Sequence, residues 1–393
     1  MNRPEPIEPA DRMLREIGET LERVGPRASC SEEERAFGRL LERRFRRFCD
    51  TVRPEAFRCQ PHAFLGFIPF VSAATLYALW WLPSDPGFAA RVALAAAFVT
   101  VAELLLYIEL VDVFFPEREG TNIVGTIRPT GEVRQRILLT AHQDSAYEFN
   151  LWYVFGTRGV FVNVLGLAAP LPIAAAGIAA WAGWIGPDGL LTATWFGLAL
   201  TPFIVAHLFF HTFRVVPGAM DDLAGVAVIT EVGRDLAADR CAHTEIVILA
   251  CSAEECGLRG AKRYATDHAL DFEAVPTLDI NVDGVYDERF LSVVTRELTT
   301  LVRHDPELVS LAEQVAGDHG WPMKRAMIPL GATDASAFAH AGVRTVALLC
   351  QDTESLAPNY HTRLDTIDRV RPESLTVMHR VVLDMVRALD ARA

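Results

Sequence analysis

Five places in this 393-residue chain hold side chains of the kind that bind divalent metals. The run RILLTA (136–141) leads into His142-Gln143-Asp144, and GAMDDLAG sets Asp221 and Asp222 ahead of a helix-like stretch. EIVILA (245–250) leads into Glu254 and Glu255, TLDINV (277–282) ends at Asp283, and the loop-like NYHTRLDT supplies His361. Taken singly, adjacent acids are an ordinary solvated helix start, favoured by the N-terminal dipole. Together, each at a strand end or in an adjoining loop, they point to one centre. Two imidazoles and three carboxylates can hold a pair of zinc ions if one carboxylate bridges. Three carboxylates and one hydroxide neutralise that pair. A further carboxylate behind His142 would fix its ring tautomer, a role that suits Asp144. A glutamate beside a ligand glutamate, but not itself bound, can accept a proton from water.

The elements that must position these residues alternate in type. Period-2 and β-branched patterns predict strands over 121–127, 136–141, 245–250, 277–282 and 343–349. Helical periodicity covers 32–48, 222–238, 257–267, 306–317 and 373–390. Such alternation predicts an α/β layered domain with a largely parallel sheet. In sheets of this kind the site lies beyond the carboxyl ends of the strands, where the candidate residues fall.

The composition is 51% hydrophobic and 22% charged with a net charge of −13, which excludes a disordered chain and argues against nucleic-acid binding. Seven cysteines without a CxxC pair exclude a disulfide-framed mini-protein. The N-terminal stretch to Val24 lacks the apolar core of a signal peptide. The apolar residues concentrate in four runs, Cys59 to Ser84, Val92 to Phe115, Gly159 to Pro187 and Gly189 to Phe213. Each has the length of about 20 residues that spans a bilayer, so a lipid bilayer is an expected partner. SDPG (84–87) and GPDG (186–189) join them as two helical hairpins. Arginines 44, 46, 47, 53, 58, 118, 158 and 214 flank the outer ends, whereas the tips offer only Arg91. The positive-inside rule then puts the tips outside and both termini, with the catalytic domain, in the cytoplasm. Glu103, within the second run, is expected to be protonated or paired with a neighbouring helix. His207 and His211 are spaced i, i+4 near the end of the fourth run and read as interfacial packing. Phe213 closes that run eight residues before Asp221, which tethers the site close to the membrane.

At the level of ordered motifs the chain resembles the co-catalytic di-zinc aminopeptidase family, which also contains glutaminyl cyclases and plasma glutamate carboxypeptidases. VGPRASCSEEERAFGRLLERRF (24–45) resembles the family's opening segment, and TNIVGTIRPTGEVRQRILLTAHQDS its first long hairpin. GAMDDLAGVAVITEV, AEECGLRGAKRYA, INVD, GATDASAFAHAGVRTV and YHTRLDTID follow in the family's order. The resemblance implies a zinc-exopeptidase-like three-layer sandwich with a mixed, largely parallel sheet, interrupted by two transmembrane hairpins. Its pieces would be 1–58, 116–158 and 214–393, with hairpins over 59–115 and 159–213. It also implies that His142, Asp221 and Asp283 bind one zinc, and Asp221, Glu255 and His361 the other. Glu254 would be the general base, Asp144 the support of His142, and Tyr360 an oxyanion donor. The implied activity is removal of N-terminal residues from a peptide substrate, with a metal-bridging hydroxide as nucleophile. Glutaminyl cyclisation on the same scaffold and a non-catalytic receptor are the alternatives. Met220, Ala224 and Ala261 stand where the family usually has asparagine, serine and serine, and Thr333-Asp334-Ala335 where it has Ser-Asp-His.

Overall fold

The computed structural model describes residues 8–353 and 359–393. The chain separates into two compact units. One comprises the described residues up to Pro61, Glu117–Tyr147 and Val215–Ala393; the other comprises His62–Pro116 and Glu148–Arg214.

The first unit is built on a nine-stranded mixed sheet. Its strands are β1 (Thr51–Cys59), β2 (Arg118–Ile127), β3 (Gln135–His142), β4 (Thr244–Cys251), β5 (Thr277–Val285), β6 (Leu291–Glu297), β7 (Lys324–Ile328) and β8 (Arg344–Cys350). They lie in the order β1-β2-β4-β3-β5-β8-β6-β7, and Val302–Arg303 pairs with β6. The central strands β4, β3, β5 and β8 are mutually parallel. The pairs β1–β2, β2–β4 and β8–β6 are antiparallel.

Alternation along the strands decides what each face carries. Ile137, Leu139 and Ala141 join Ile246, Ile248, Ala250, Leu278, Ile280 and Val282 in one core. That core includes residues of the helices Pro9–Arg23, Glu32–Phe45, Gly225–Ala238, Pro306–Asp318 and Pro372–Asp390. Leu138, Val247 and Leu249 pack on the opposite face with Ala261, Tyr264 and Phe338 of the helices Arg259–Asp267 and Ala335–His340. Three layers result. The intervening residues of β3 and β5 therefore share one face, with Thr140 opposite Asn281, two residues before His142 and Asp283. Edge strands β1 and β7 carry no clear hydrophobic alternation in the sequence. TVRPEAFRC is charged, contains Pro54 and is largely exposed, the usual protection of an edge against pairing.

The second unit contains four helices long and apolar enough to cross a membrane, Ala63–Trp81, Pro86–Leu105, Thr157–Trp181 and Pro187–His207. The turn into the second is capped by Asp85, whose side chain accepts the Phe88 N–H at 2.9 Å, with Pro86 at the first helical position. Small residues let the helices approach: a Cβ at Gly177 would come 2.6 Å from the Pro86 carbonyl oxygen. Large apolar side chains point outward, Phe70, Trp80, Phe98, Trp181 and Trp195 among them.

The ends of these helices differ from the apolar runs. Cys59 belongs to β1. The second helix starts earlier than Val92 and ends with a wide turn over Val101–Leu105, so residues 106–115 are not part of it. Buried Glu103 is the reason, because its carboxylate takes the N–H of Val111 at 2.7 Å and folds the chain back. The third run breaks after Ala168, where Pro170 cannot continue the hydrogen-bond ladder. The fourth helix ends at His207, and Phe213 lies instead in the strand His211–Val215, which pairs with Tyr147–Phe149. His207 and His211 thus share no helical face; His207 Nδ1 lies 3.2 Å from Ser72 Oγ.

Candidate metal centre

His142 ends β3 and Asp283 lies near the end of β5, on the same face of adjacent strands. The loop after β4 carries Glu254 and Glu255, and Ala253 just before them adopts φ 59°, a left-handed conformation uncommon outside glycine. Asp221 and Asp222 do not begin a helix. The helix starts at Gly225, and both aspartates have non-helical backbone within the turn Ala219–Ala224, joined by a cis peptide bond. His361 has φ 49° in the loop ahead of the C-terminal helix.

This backbone brings all five proposed ligands together. His142 Nε2 stands 2.9 Å from Asp221 Oδ1, and His361 Nε2 stands 3.2 Å from Asp221 Oδ2 and 3.3 Å from Glu255 Oε2. The two imidazoles thus face opposite oxygens of one carboxylate. His142, Asp221 and Asp283 offer ligand atoms within 4.8 Å of one another, as do Asp221, Glu255 and His361. Glu254 meets the same spacing with His142 and Glu255, its Oε2 4.0 Å from His142 Nε2. Tyr360 stacks on His361 with ring centroids 3.9 Å apart.

The supporting contacts divide the work between paired acids. Asp222 Oδ2 accepts the N–H of His142 at 3.2 Å and Oδ1 that of Gly225 at 3.0 Å, so Asp222 fixes backbone while Asp221 faces the centre. Asp144 Oδ1 and Oδ2 accept the N–H groups of Glu254 and Glu255, each at 3.1 Å, and Oδ2 accepts the Ser29 hydroxyl at 2.6 Å. His142 Nδ1 is nearer the Asp144 carbonyl, at 3.2 Å, than its carboxylate oxygen, at 3.5 Å. Asp365 accepts the N–H groups of Met220 and Asp221. Glu34 accepts those of Ala253 at 2.9 Å and Cys30 at 2.6 Å. Neither Asp365 nor Glu34 stands out in the sequence. Asp365 lies four residues beyond His361 and could have been sought there, whereas nothing local marks Glu34.

The electrostatics call for cations. Burial and the surrounding carboxylates hold Glu254 and Glu255 well above the usual carboxylate range. Burial, then Asp221, pushes Asp283 up to about 8. Burial also opposes ionisation of Asp221, but the His142 and His361 rings overcome it and hold its carboxyl below the ordinary range. Burial likewise works against a charged His142, yet Glu254, Asp144 and Asp221 raise the ring well above its ordinary value. Burial, then Asp221 and Glu255, push the Tyr360 phenol up, so it is a hydrogen-bond donor at neutral pH. Glu255 Oε1 is buried with no hydrogen-bond partner among the described residues. A carboxylate oxygen in that state costs several kcal/mol unless a cation meets it. Two imidazoles and hard carboxylate oxygens are the donor set of zinc, and the residues fit it.

Residues 203–386 match the family model of Peptidase family M28, a span holding every candidate residue except His142 and Asp144. No curated protein matches the chain. Among solved structures, a Zn-dependent exopeptidase from Parabacteroides distasonis is similar with a TM-score of 0.57 at 15% identity, covering 96% of this chain and 97% of that one. A zinc aminopeptidase from Bacillus subtilis has a TM-score of 0.59 at 16% identity, with 98% and 96% covered. The glutaminyl cyclase of Porphyromonas gingivalis has a TM-score of 0.60 at 14% identity, with 97% and 98% covered. At these identities the likeness is one of fold. The segment 203–386 is thus similar to Peptidase family M28, and the chain has the fold of these zinc-dependent exopeptidase structures, as the ordered motifs led one to expect.

Proposed function

We propose that this chain is a membrane-embedded zinc aminopeptidase that hydrolyses N-terminal peptide bonds at a two-zinc centre. The observation that carries the reading is the shared carboxylate: Asp221 belongs to two separate three-residue ligand groups, each with its own histidine. His142, Asp221 and Asp283 would hold one ion, and Asp221, Glu255 and His361 the other. When bound, the ions supply Lewis acidity and a water of lowered pKa. Glu254 takes the proton of the attacking water and returns it to the leaving amine. Asp144 holds the backbone of Glu254 and Glu255 in place, and the Tyr360 hydroxyl donates to the oxyanion that develops on the scissile carbonyl. Purified protein should carry two zincs per chain and release N-terminal residues from aminoacyl and dipeptide substrates. Two bound zincs without any such hydrolysis would refute the aminopeptidase reading. A second reading, glutaminyl cyclase, is favoured by the fold likeness to several enzymes of that name. It is distinguished by release of ammonia from peptides that begin with glutamine.

The four apolar helices support embedding in a lipid bilayer, and the arginine distribution supports a cytoplasmic site with both termini on that side. In spheroplasts or sealed inverted vesicles, a cysteine placed at Ser84 or Asp188 in a hairpin turn should react with an impermeant maleimide only from outside. Labelling only from the cytoplasmic face would reverse the orientation.

A further inference from the structure

Arg27 lies between the helices Pro9–Arg23 and Glu32–Phe45 and is 0% exposed. Its guanidinium is spent on backbone carbonyls. Nε donates to Gln143 at 2.9 Å, Nη1 to Gly25 at 2.9 Å and Pro217 at 3.0 Å, and Nη2 to Gly218 at 3.1 Å. Gln143 follows His142, and Pro217-Gly218 leads directly into the turn that carries Asp221. Ser145 closes the same junction. Its Oγ accepts the Arg27 N–H at 3.0 Å and donates to the Val216 carbonyl at 2.9 Å, while its own N–H donates to the Arg27 carbonyl at 2.8 Å. The guanidinium carbon lies 5.5 Å from the centre of the Phe37 ring, which closes one face. Asp144, Asp222, Asp365 and Glu34 surround it without an ion pair among the described residues, so it is a buried positive charge in a crowd of carboxylates.

We infer that Arg27 is a positioning residue: by tying the loop after β3 to the approach to Asp221, it sets the separation between His142 and Asp221. The inference rests on the zinc-hydrolase reading. The chemistry is that of a rigid fork. Guanidinium N–H groups have fixed directions and can span carbonyls from two loops, which the compact ammonium of lysine cannot do with the same geometry. Field alone would survive lysine; spacing would not. The two ligands face each other at 2.9 Å, so a small opening of the loops alters the metal site directly.

The test is zinc affinity of the full chain in detergent, measured against a competing chelator, with Arg27→Lys compared with Arg44→Lys. Arg44 is a buried arginine of the same unit, 3.6 Å from Glu16. Arg27→Lys should lose about tenfold or more in zinc affinity, and kcat should fall while KM changes little, on the scale of a misplaced reacting group. Arg44→Lys should lower Tm and leave zinc affinity unchanged. Wild-type zinc affinity in Arg27→Lys, or an equal loss in Arg44→Lys, would overturn the inference. If Arg27→Lys does not fold, Ser145→Ala keeps the guanidinium and loosens the same junction. It should weaken zinc several-fold, and unchanged affinity would count against positioning just as firmly. Failure of the underlying reading looks different. A wild-type chain that took up no zinc would remove the metal centre and the role of Arg27 with it, whereas a wild-type chain that bound zinc without hydrolysis would refute the peptidase activity and leave the zinc-affinity comparison standing.

Discussion

Glu254→Gln should leave zinc binding at the wild-type level and reduce kcat by about a thousandfold, the middle of the range for a general base. The amide is nearly the same size and still hydrogen-bonds, but it cannot accept the proton. Its neighbour offers the contrast. Glu255 Oε2 stands 3.3 Å from His361 Nε2 in the group that includes the shared Asp221, so Glu255→Gln should lose metal as well as turnover. Zinc content and initial rates on one aminoacyl substrate separate the two. Equal rates for Glu254→Gln and wild type would remove Glu254 from the proton transfer; lost zinc in Glu254→Gln would make it a ligand.

Asp221→Ala should be the more damaging change, because one carboxylate serves both ligand groups. Loss of a residue that merely supports a ligand costs about 10–100-fold in metal affinity, and a shared ligand should cost more than that at both positions. Activity should vanish with the metal. The pH dependence of stability provides a second readout. In the metal-free protein, burial raises Asp283 and Asp365 to about 8. These carboxyls keep their protons in the folded chain where the unfolded chain, titrating near 4, has lost them. Their contribution is therefore complete below about pH 4 and is lost as pH rises through about 8. Zinc displaces protons from its ligands and reverses that loss. The rise in Tm on adding zinc should grow between about pH 5.5 and 7.5 in the wild type and be absent from Asp221→Ala. A zinc-dependent rise in Asp221→Ala as large as that of the wild type would show that Asp221 is not the shared ligand.

Much of this molecule is legible in local sequence because its central strands are buried on both faces. RILLTA, EIVILA and VRTVALL are mostly apolar runs of strand length, and TLDINV alternates apolar with polar residues at the same length. Strand ends in a parallel sheet converge on one side, so the metal-type residues at His142, Glu254, Glu255 and Asp283 mark a centre in the sequence alone. The four apolar stretches are legible for the same kind of reason, since length and lack of charge are local properties. Their ends are not. The turn at Glu103 depends on a side-chain bond to the Val111 N–H that hydrophobic patterning does not register, and the Phe213 strand depends on pairing with the distant Tyr147–Phe149. Edge strand β1 is hidden because its exposed, charged residues carry no burial signal.

The division of labour among neighbouring acids also belongs to the tertiary structure. Asp221 and Asp222 are chemically identical and adjacent, yet the non-helical turn sends one carboxylate between two imidazoles and the other to backbone N–H groups. Asp144 reads as the partner of His142, but its oxygens mainly hold the N–H groups of Glu254 and Glu255. Arg27, Glu34 and Asp365 meet the centre across separations of more than a hundred residues, through hydrogen bonds to backbone that leave no pattern in the chain. The sequence by itself determined which side chains could bind metal and which end of the sheet would carry them, because both follow from residue type and strand period. Only the tertiary structure decided which oxygen of each pair faces the centre, because that depends on backbone directions fixed by contacts from distant parts of the chain.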